Sequence, residues 1–167
     1  EVLITKAKNQ FKELPAVLGF IEGQMFAQSN RIGQAKKVFN ALLLKFPNSS
    51  KVYLELAKLH HSKQEWEEAE KVYKIASEID LGNTVARHGH GLCMLRLDRP
   101  EEAIDEFFAV IEQRYFFPQC HYHIAEALVH MKKYEEAAHA FEVTLTMAPK
   151  MIKARQWLIE LYENHVE

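Results

Sequence analysis

Glycine is scarce in this chain, with six in 167 residues. None belongs to a Gly-rich loop of the kind that cradles phosphate, and no nucleophile elbow or metalloprotease helix motif occurs. Cysteine is scarcer: Cys93 and Cys120, each in a helix-like stretch, give no disulfide framework. Two unpaired thiols point to a reducing compartment, so a cytoplasmic location is expected. No apolar run approaches the roughly 20 residues that span a bilayer, and no secretory leader is visible. An excess of one charge is also missing. Lys and Arg number 21 against 23 Asp and Glu, a formal charge of −2, which argues against broad capture of nucleic acid or anionic membrane. Residues 1–50 are locally basic, with seven Lys/Arg against three Asp/Glu, and read as a solvated helix surface. The chain opens at Glu1 and both ends fall in helix-like sequence, so an excised segment of a longer protein is expected.

What the chain has is a folded composition and a period. With 48% hydrophobic and 26% charged residues, it can bury a sizeable core. Alanine returns every 34 residues, at Ala35, Ala69, Ala103 and Ala137. Twelve positions earlier stands a small residue (Gly23, Ala57, Gly91, Ala125), and four positions later an aromatic (Phe39, Tyr73, Phe107, Phe141). The alanine and aromatic columns together have a chance probability of roughly 10⁻⁸ before free choice of phase.

Each unit reads as two amphipathic helices. In residues 50–83, Tyr53, Leu56, Ala57 and His60 share one face, a polar break follows at Ser62-Lys63-Gln64, and Ala69, Val72, Tyr73, Ala76 and Ile79 share the next. Turn signals sit at Pro47-Asn48-Ser49, Leu81-Gly82-Asn83 and Ala148-Pro149. Two antiparallel helices approach closely only where small side chains meet, which the Gly/Ala and alanine columns provide. The aromatic column fills the wedge between units, each buried ring contributing about 2–3 kcal/mol.

These columns resemble the tetratricopeptide repeat family over residues 16–151, as four consecutive units. A bulky residue three before each alanine fits too (Ile32, Trp66, Tyr134), with Pro100 as exception. The family's unit-end proline is present as Pro47 and Pro149 but replaced by Leu81 and Tyr115. Arg87 and His90 stand where bulky apolar residues are expected, which makes the third unit's first helix the weakest match. The resemblance implies an all-α, right-handed superhelix (α-solenoid) of antiparallel helix pairs, with ten helices and no sheet. The expected single domain, 1–167, has an N-terminal flanking helix at 2–14, repeats at 16–49, 50–83, 84–117 and 118–151, and a capping helix at 150–164.

The nine histidines raise the question of a metal. His88/His90 and His121/His123 are two apart, which on a helix turns the rings roughly 200° away from each other. His90/Cys93 and Glu126/His130 have chelating spacing, but neither has a third ligand nearby in sequence, and a structural zinc site needs four. Glu67-Glu68, Glu101-Glu102 and Glu135-Glu136 recur at the start of second helices, where they complement the helix dipole. No enzyme activity, cofactor or metal is expected.

In the family, first helices line a concave groove. Carried over, the resemblance places Val17, Phe20, Gln24, Ala27 and Gln28 there from the first unit, and Lys51, Leu54, Lys58, His61 and Ser62 from the second. The third supplies Val85, His88, Leu92, Leu95 and Arg96, and the fourth Gln119, Tyr122, Glu126, Val129 and His130. The partner-binding candidates are Phe20, Gln24, Lys51, Leu54, Lys58, His61, His88, Leu92, Arg96, Tyr122, Glu126 and His130, a mixture suited to a peptide with apolar anchors and some negative charge. One subclass of the family grips chaperone C-termini with a Lys/Asn/Lys/Arg clamp. Its first pair falls here on Phe20/Gln24 or Leu54/Lys58, its asparagine on Glu55 or Gly89, and its last pair on Val85/Gly89 or Gln119/His123, so carboxylate-clamp binding is not expected.

The run Tyr115-Phe116-Phe117-Pro118 is expected to pack under the following helix, the other reading being an exposed contact patch. The stretch 115–128 also resembles, faintly, repeat tails of bacterial alkaline-phosphatase-superfamily phosphodiesterases. The leading functional expectation is a non-enzymatic interaction module that binds a peptide or helix of a protein partner, not nucleic acid or membrane. The alternative is a structural appendage that dimerises as a homo-oligomer or docks on a neighbouring catalytic domain of its own chain. Full protonation of nine histidines would move the charge from −2 to +7, and buried rings such as His60 are expected to resist it, so stability should fall with acid.

Overall fold

A computed structural model of the chain describes residues 16–165. Among the described residues there are nine α-helices and no strand. They are a helix over residues 16–28 (α1), Ile32–Lys45 (α2), Ser50–Ser62 (α3), Trp66–Ile79 (α4), Thr84–Arg96 (α5), Pro100–Gln113 (α6), Pro118–His130 (α7), Tyr134–Met147 (α8) and Ile152–Asn164 (α9). The expected flanking helix at 2–14, the tenth, lies outside the described residues. No described helix is long and apolar enough to cross a membrane.

The period is now a property of the backbone. Helices α2, α4, α6 and α8 each have 14 residues and begin 34 apart, and α3, α5, α7 and α9 each have 13 and do the same. Between the helices of each pair, one residue takes a left-handed conformation: Asn30, Gln64, Asp98 and Lys132, with φ between 56° and 60°. At the ends of the second helices, Phe46, Asp80, Arg114 and Ala148 leave the helix with φ between −131° and −144°, each still donating its N–H to the carbonyl four residues back. Local signals set the starts. Pro100 and Pro118 open α6 and α7 at positions where a missing N–H costs nothing, and the Asn83 side chain caps α5 by accepting from Ala86 N at 3.0 Å. The glutamate pairs in the first turns of α4, α6 and α8 are exposed, as helix-dipole partners should be.

The contacts divide the chain into two compact units, up to Asp80 and from Leu81. In the first, α2 packs on α3 and α3 on α4, around a core of Ala35, Phe39, Leu42, Val52, Leu56 and Leu59. In the second, α5 pairs with α6 and α7 with α8, while α6 also packs on α7 and α8 on α9. Its core has two parts, one around Phe107 and Val110 and one around Phe141 and Leu161. The four column alanines are fully buried, and of the column aromatics Phe39, Phe107 and Phe141 are too, with Tyr73 at 5%. The small-residue column explains itself sterically. A Cβ on Gly23 would stand 2.5 Å from the Phe39 ring, and one on Gly91 would meet the Phe107 ring at 2.9 Å and the Ala103 carbonyl at 3.2 Å.

The weak first helix of the third unit forms all the same, because a neighbour supplies what its polar residues need. His90 is buried with Nδ1 3.2 Å from Glu106 Oε1, and Arg87 Nη1 lies 3.7 Å from Glu106 Oε2. A carboxylate on α6 thus replaces the apolar contact expected there.

Candidate functional site

The candidate residues sit on first helices, and the structure sorts them by what they touch. In the first unit, the half-buried Phe20 of α1 lies 5.9 Å from the Phe39 ring, and Gln24 follows one turn on. On α3, Lys51 and Lys58 are exposed, Lys58 Nζ reaching Glu55 Oε1 at 2.8 Å, and Leu54 is half-buried. His61 stands edge-on to Trp66 at 5.0 Å and to Tyr73 at 6.4 Å, so part of its ring belongs to the core.

A cleft of about 670 Å³ opens beside these residues, between α1 and the α2–α3 connection. Val17, Phe20, Leu42 and Val52 supply its apolar lining, and Lys45 and Lys51 its charge.

In the second unit, α5 and α7 run side by side and their candidates meet. Arg96 grips Glu126 with both terminal guanidinium nitrogens, Nη1 donating to Oε1 at 3.1 Å and Nη2 to Oε2 at 3.3 Å. His123 Nδ1 adds a contact to Glu126 Oε2 at 3.0 Å. Burial opposes the charge on Glu126, but the hydrogen bonds and positive charge of His123 and Arg96 outweigh it and hold the carboxyl down at about 2. His88 is enclosed by rings, at 5.1 Å from Phe117, 5.2 Å from His123 and 5.6 Å from Phe107. Leu92 is half-buried on the same core. His130 Nδ1 lies 4.0 Å from Asp98.

Tyr122 differs from the groove expectation in degree. It is only 9% exposed and packs edge-on to Phe141 at 5.7 Å, while burial, then the charge of Glu126, push its phenol above the usual range. Leu95, carried over as a groove position, is 1% exposed and belongs to the core.

The aromatic run divides. Phe117 packs on the α5–α7 core as expected, but Tyr115 and Phe116 are 66% and 63% exposed, because the turn before α7 points successive side chains apart. His60, expected to be buried, is only partly so, and its Nδ1 lies 2.5 Å from Glu65 Oε2 and 3.2 Å from Lys36 Nζ. His123, Phe117 and the Lys36–His60–Glu65 group were missed among the candidates. The signal for His123 was present, since it lies three residues before Glu126 on one helix and 35 after His88, one more than the repeat.

Among the described residues no three His, Cys, Asp or Glu side chains are placed to hold one metal ion. Cys93 and Cys120 are fully buried, and desolvation pushes the Cys120 thiol up to about 12, where it is a poor nucleophile. What the candidate positions present is partly exposed apolar and histidine rings, lysines, and one internally neutralised ion cluster.

Comparison with known proteins fits this picture. Two family models, both of the tetratricopeptide repeat, match residues 26–87 and 90–152. No curated protein sequence matches. A crystal structure of MamA protein aligns at TM-score 0.81 and 20% identity over 88% of this chain and 80% of that one. MamA from Desulfovibrio magneticus RS-1 aligns at 0.81 and 15%, over 87% and 82%. YrrB, described as a TPR protein with an unusual peptide-binding site, aligns at 0.76 and 17%, over 95% and 81%. With two matches that together span most of the chain and the 34-residue columns buried, the chain belongs to the tetratricopeptide repeat family, whose members are typically non-catalytic modules for protein–protein interaction.

Proposed function

We propose that this chain holds a peptide or helix of another protein on the exposed faces of its first helices. One observation carries the reading. The repeating residues are consumed by packing, whereas Phe20, Leu54 and His61 in the first unit and His88 and Leu92 in the second are non-repeating and only half-buried, and Lys51 and Lys58 are exposed on the first unit's α3. Apolar surface left partly open beside cations suits a partner with apolar anchors and negative charge. The peptide-binding site reported for YrrB, a protein of similar fold, is consistent with this use.

Selection of a displayed random-peptide library against the chain tests it. Enriched peptides should share apolar anchors with acidic flanks, and Lys58→Glu should weaken them, whereas Lys37→Glu and Lys71→Glu on exposed faces of α2 and α4 should not. Peptides sensitive only to the second-helix changes would place the interaction elsewhere.

The exposed Tyr115 and Phe116 favour a second reading, in which this segment docks on a second copy or on a neighbouring domain of its own protein. Light scattering should then show a dimer, or a separately expressed neighbour should co-purify, and Tyr115→Ser with Phe116→Ser should abolish either. A monomer indifferent to both would remove it.

A further inference from the structure

The cleft in the first unit has an internal counterpart that shows what fits it. Shifted by two repeats, Phe20 corresponds to His88, Leu42 to Val110 and Ser49 to Phe117. In the second unit the Phe117 ring occupies this place, edge-on to His88 at 5.1 Å and packed on the core. One repeat further, Met151 fills the corresponding position against the core around Phe141. Ser49 leaves it open, and about 670 Å³ remains. No carboxylate is among the described residues lining the cleft, while Lys45 and Lys51 both are.

We infer that this cleft is a subsite for a partner's phenylalanine with aspartate or glutamate beside it. The ring takes the place that Phe117 takes in the second unit, and the carboxylates meet Lys45 and Lys51. Burial of one ring against Phe20 and Leu42 supplies affinity, and the lysines select an acidic flank over a basic one. The chain's own N-terminal segment is a poorer match: residues 2–14 carry Lys6, Lys8 and Lys12 against Glu13. The inference rests on the peptide-binding reading and names its anchor.

The test titrates the ¹⁵N-labelled chain with the peptide acetyl-Asp-Glu-Phe-Pro-Glu-Asp-amide. Saturable amide shifts should centre on Ser49 and Lys51, and an analogue with lysine at each acidic position should not bind. Ser49→Phe closes the cleft from within. Ser49 makes no side-chain cap bond, and Phe117 stands at the corresponding N-cap of α7, so the variant should keep its fold and its melting curve. It should weaken the peptide by about tenfold or more, as should Lys45→Glu with Lys51→Glu, while Ser49→Ala should bind as the parent does. Equal affinity for Ser49→Phe and parent would overturn the proposal, as would equal binding of the basic analogue. Shifts confined to α5 and α7 would overturn the subsite while leaving peptide binding intact. An unresponsive cleft with proton contacts to residues 2–14 would assign it to the chain's own N-terminus, against the proposal.

Discussion

At the scale of single residues, the left-handed turn position is the plainest mismatch between side chain and backbone. Asn30 and Asp98 are residue types that tolerate φ near 60°, whereas Gln64 and Lys132 do so only because the helix pair around them demands it. Lys132→Gly and Gln64→Gly should each raise stability by about 0.5–1 kcal/mol in urea unfolding, since relief of the turn exceeds glycine's entropic cost. A loss at both would mean that the turn is not strained. Glu126 carries the pH dependence. Its carboxyl is held below the ordinary range at about 2, so its contribution is complete above about pH 4.5 and is lost as the pH falls from there through 2. Parent and Glu126→Gln should differ by on the order of 2 kcal/mol at pH 6, and the difference should shrink steadily between pH 4.5 and 3. A difference independent of pH would assign the role to packing. The acid sensitivity expected from the histidines therefore has its clearest source in a carboxylate that the histidine count does not reveal.

At the scale of the element, the helices were legible because their constraint repeats. A position that must be small at a close approach is small in every unit, and one that fills the wedge is aromatic in every unit. Phe107→Ala should cost about 3–5 kcal/mol, whereas Phe108→Ala one residue on, 49% exposed, should stay within about 0.5 kcal/mol. Equal costs would break the assigned helix phase. Glycine separates the same way. Gly91→Val, forced against the Phe107 ring, should destabilise by about 1–3 kcal/mol, and Gly33→Ala, with nothing within 4 Å, should stabilise slightly. What was not legible are the contacts between non-repeating residues. Arg96 and Glu126 are 30 apart in sequence and Lys36 and Glu65 are 29 apart. No periodicity announces either pair, because each is a singular choice in one unit. The fate of the aromatic run was hidden for a related reason: in a turn, neighbouring side chains lack the fixed facing that a helix imposes, so Phe117 could enter the core while Tyr115 and Phe116 did not.

At the scale of the whole molecule, fold and function draw on complementary sets of residues. The repeating set identifies the family and is spent in the cores of the two units. The non-repeating set on the first helices, together with the lysine-lined cleft, is the surface that the proposed reading assigns to a partner. With a near-neutral formal charge of −2, the proposed recognition would depend on local pairing and shape, with modest salt dependence. Where a bound peptide lies tests this division most directly, and amide protection from hydrogen exchange, with and without a library-selected peptide at saturation, reports it. The account predicts added protection and slowed local opening centred on residues 16–28, α3, α5 and α7. Protection confined to α2, α4, α6 and α8, with the first helices unchanged, would contradict it.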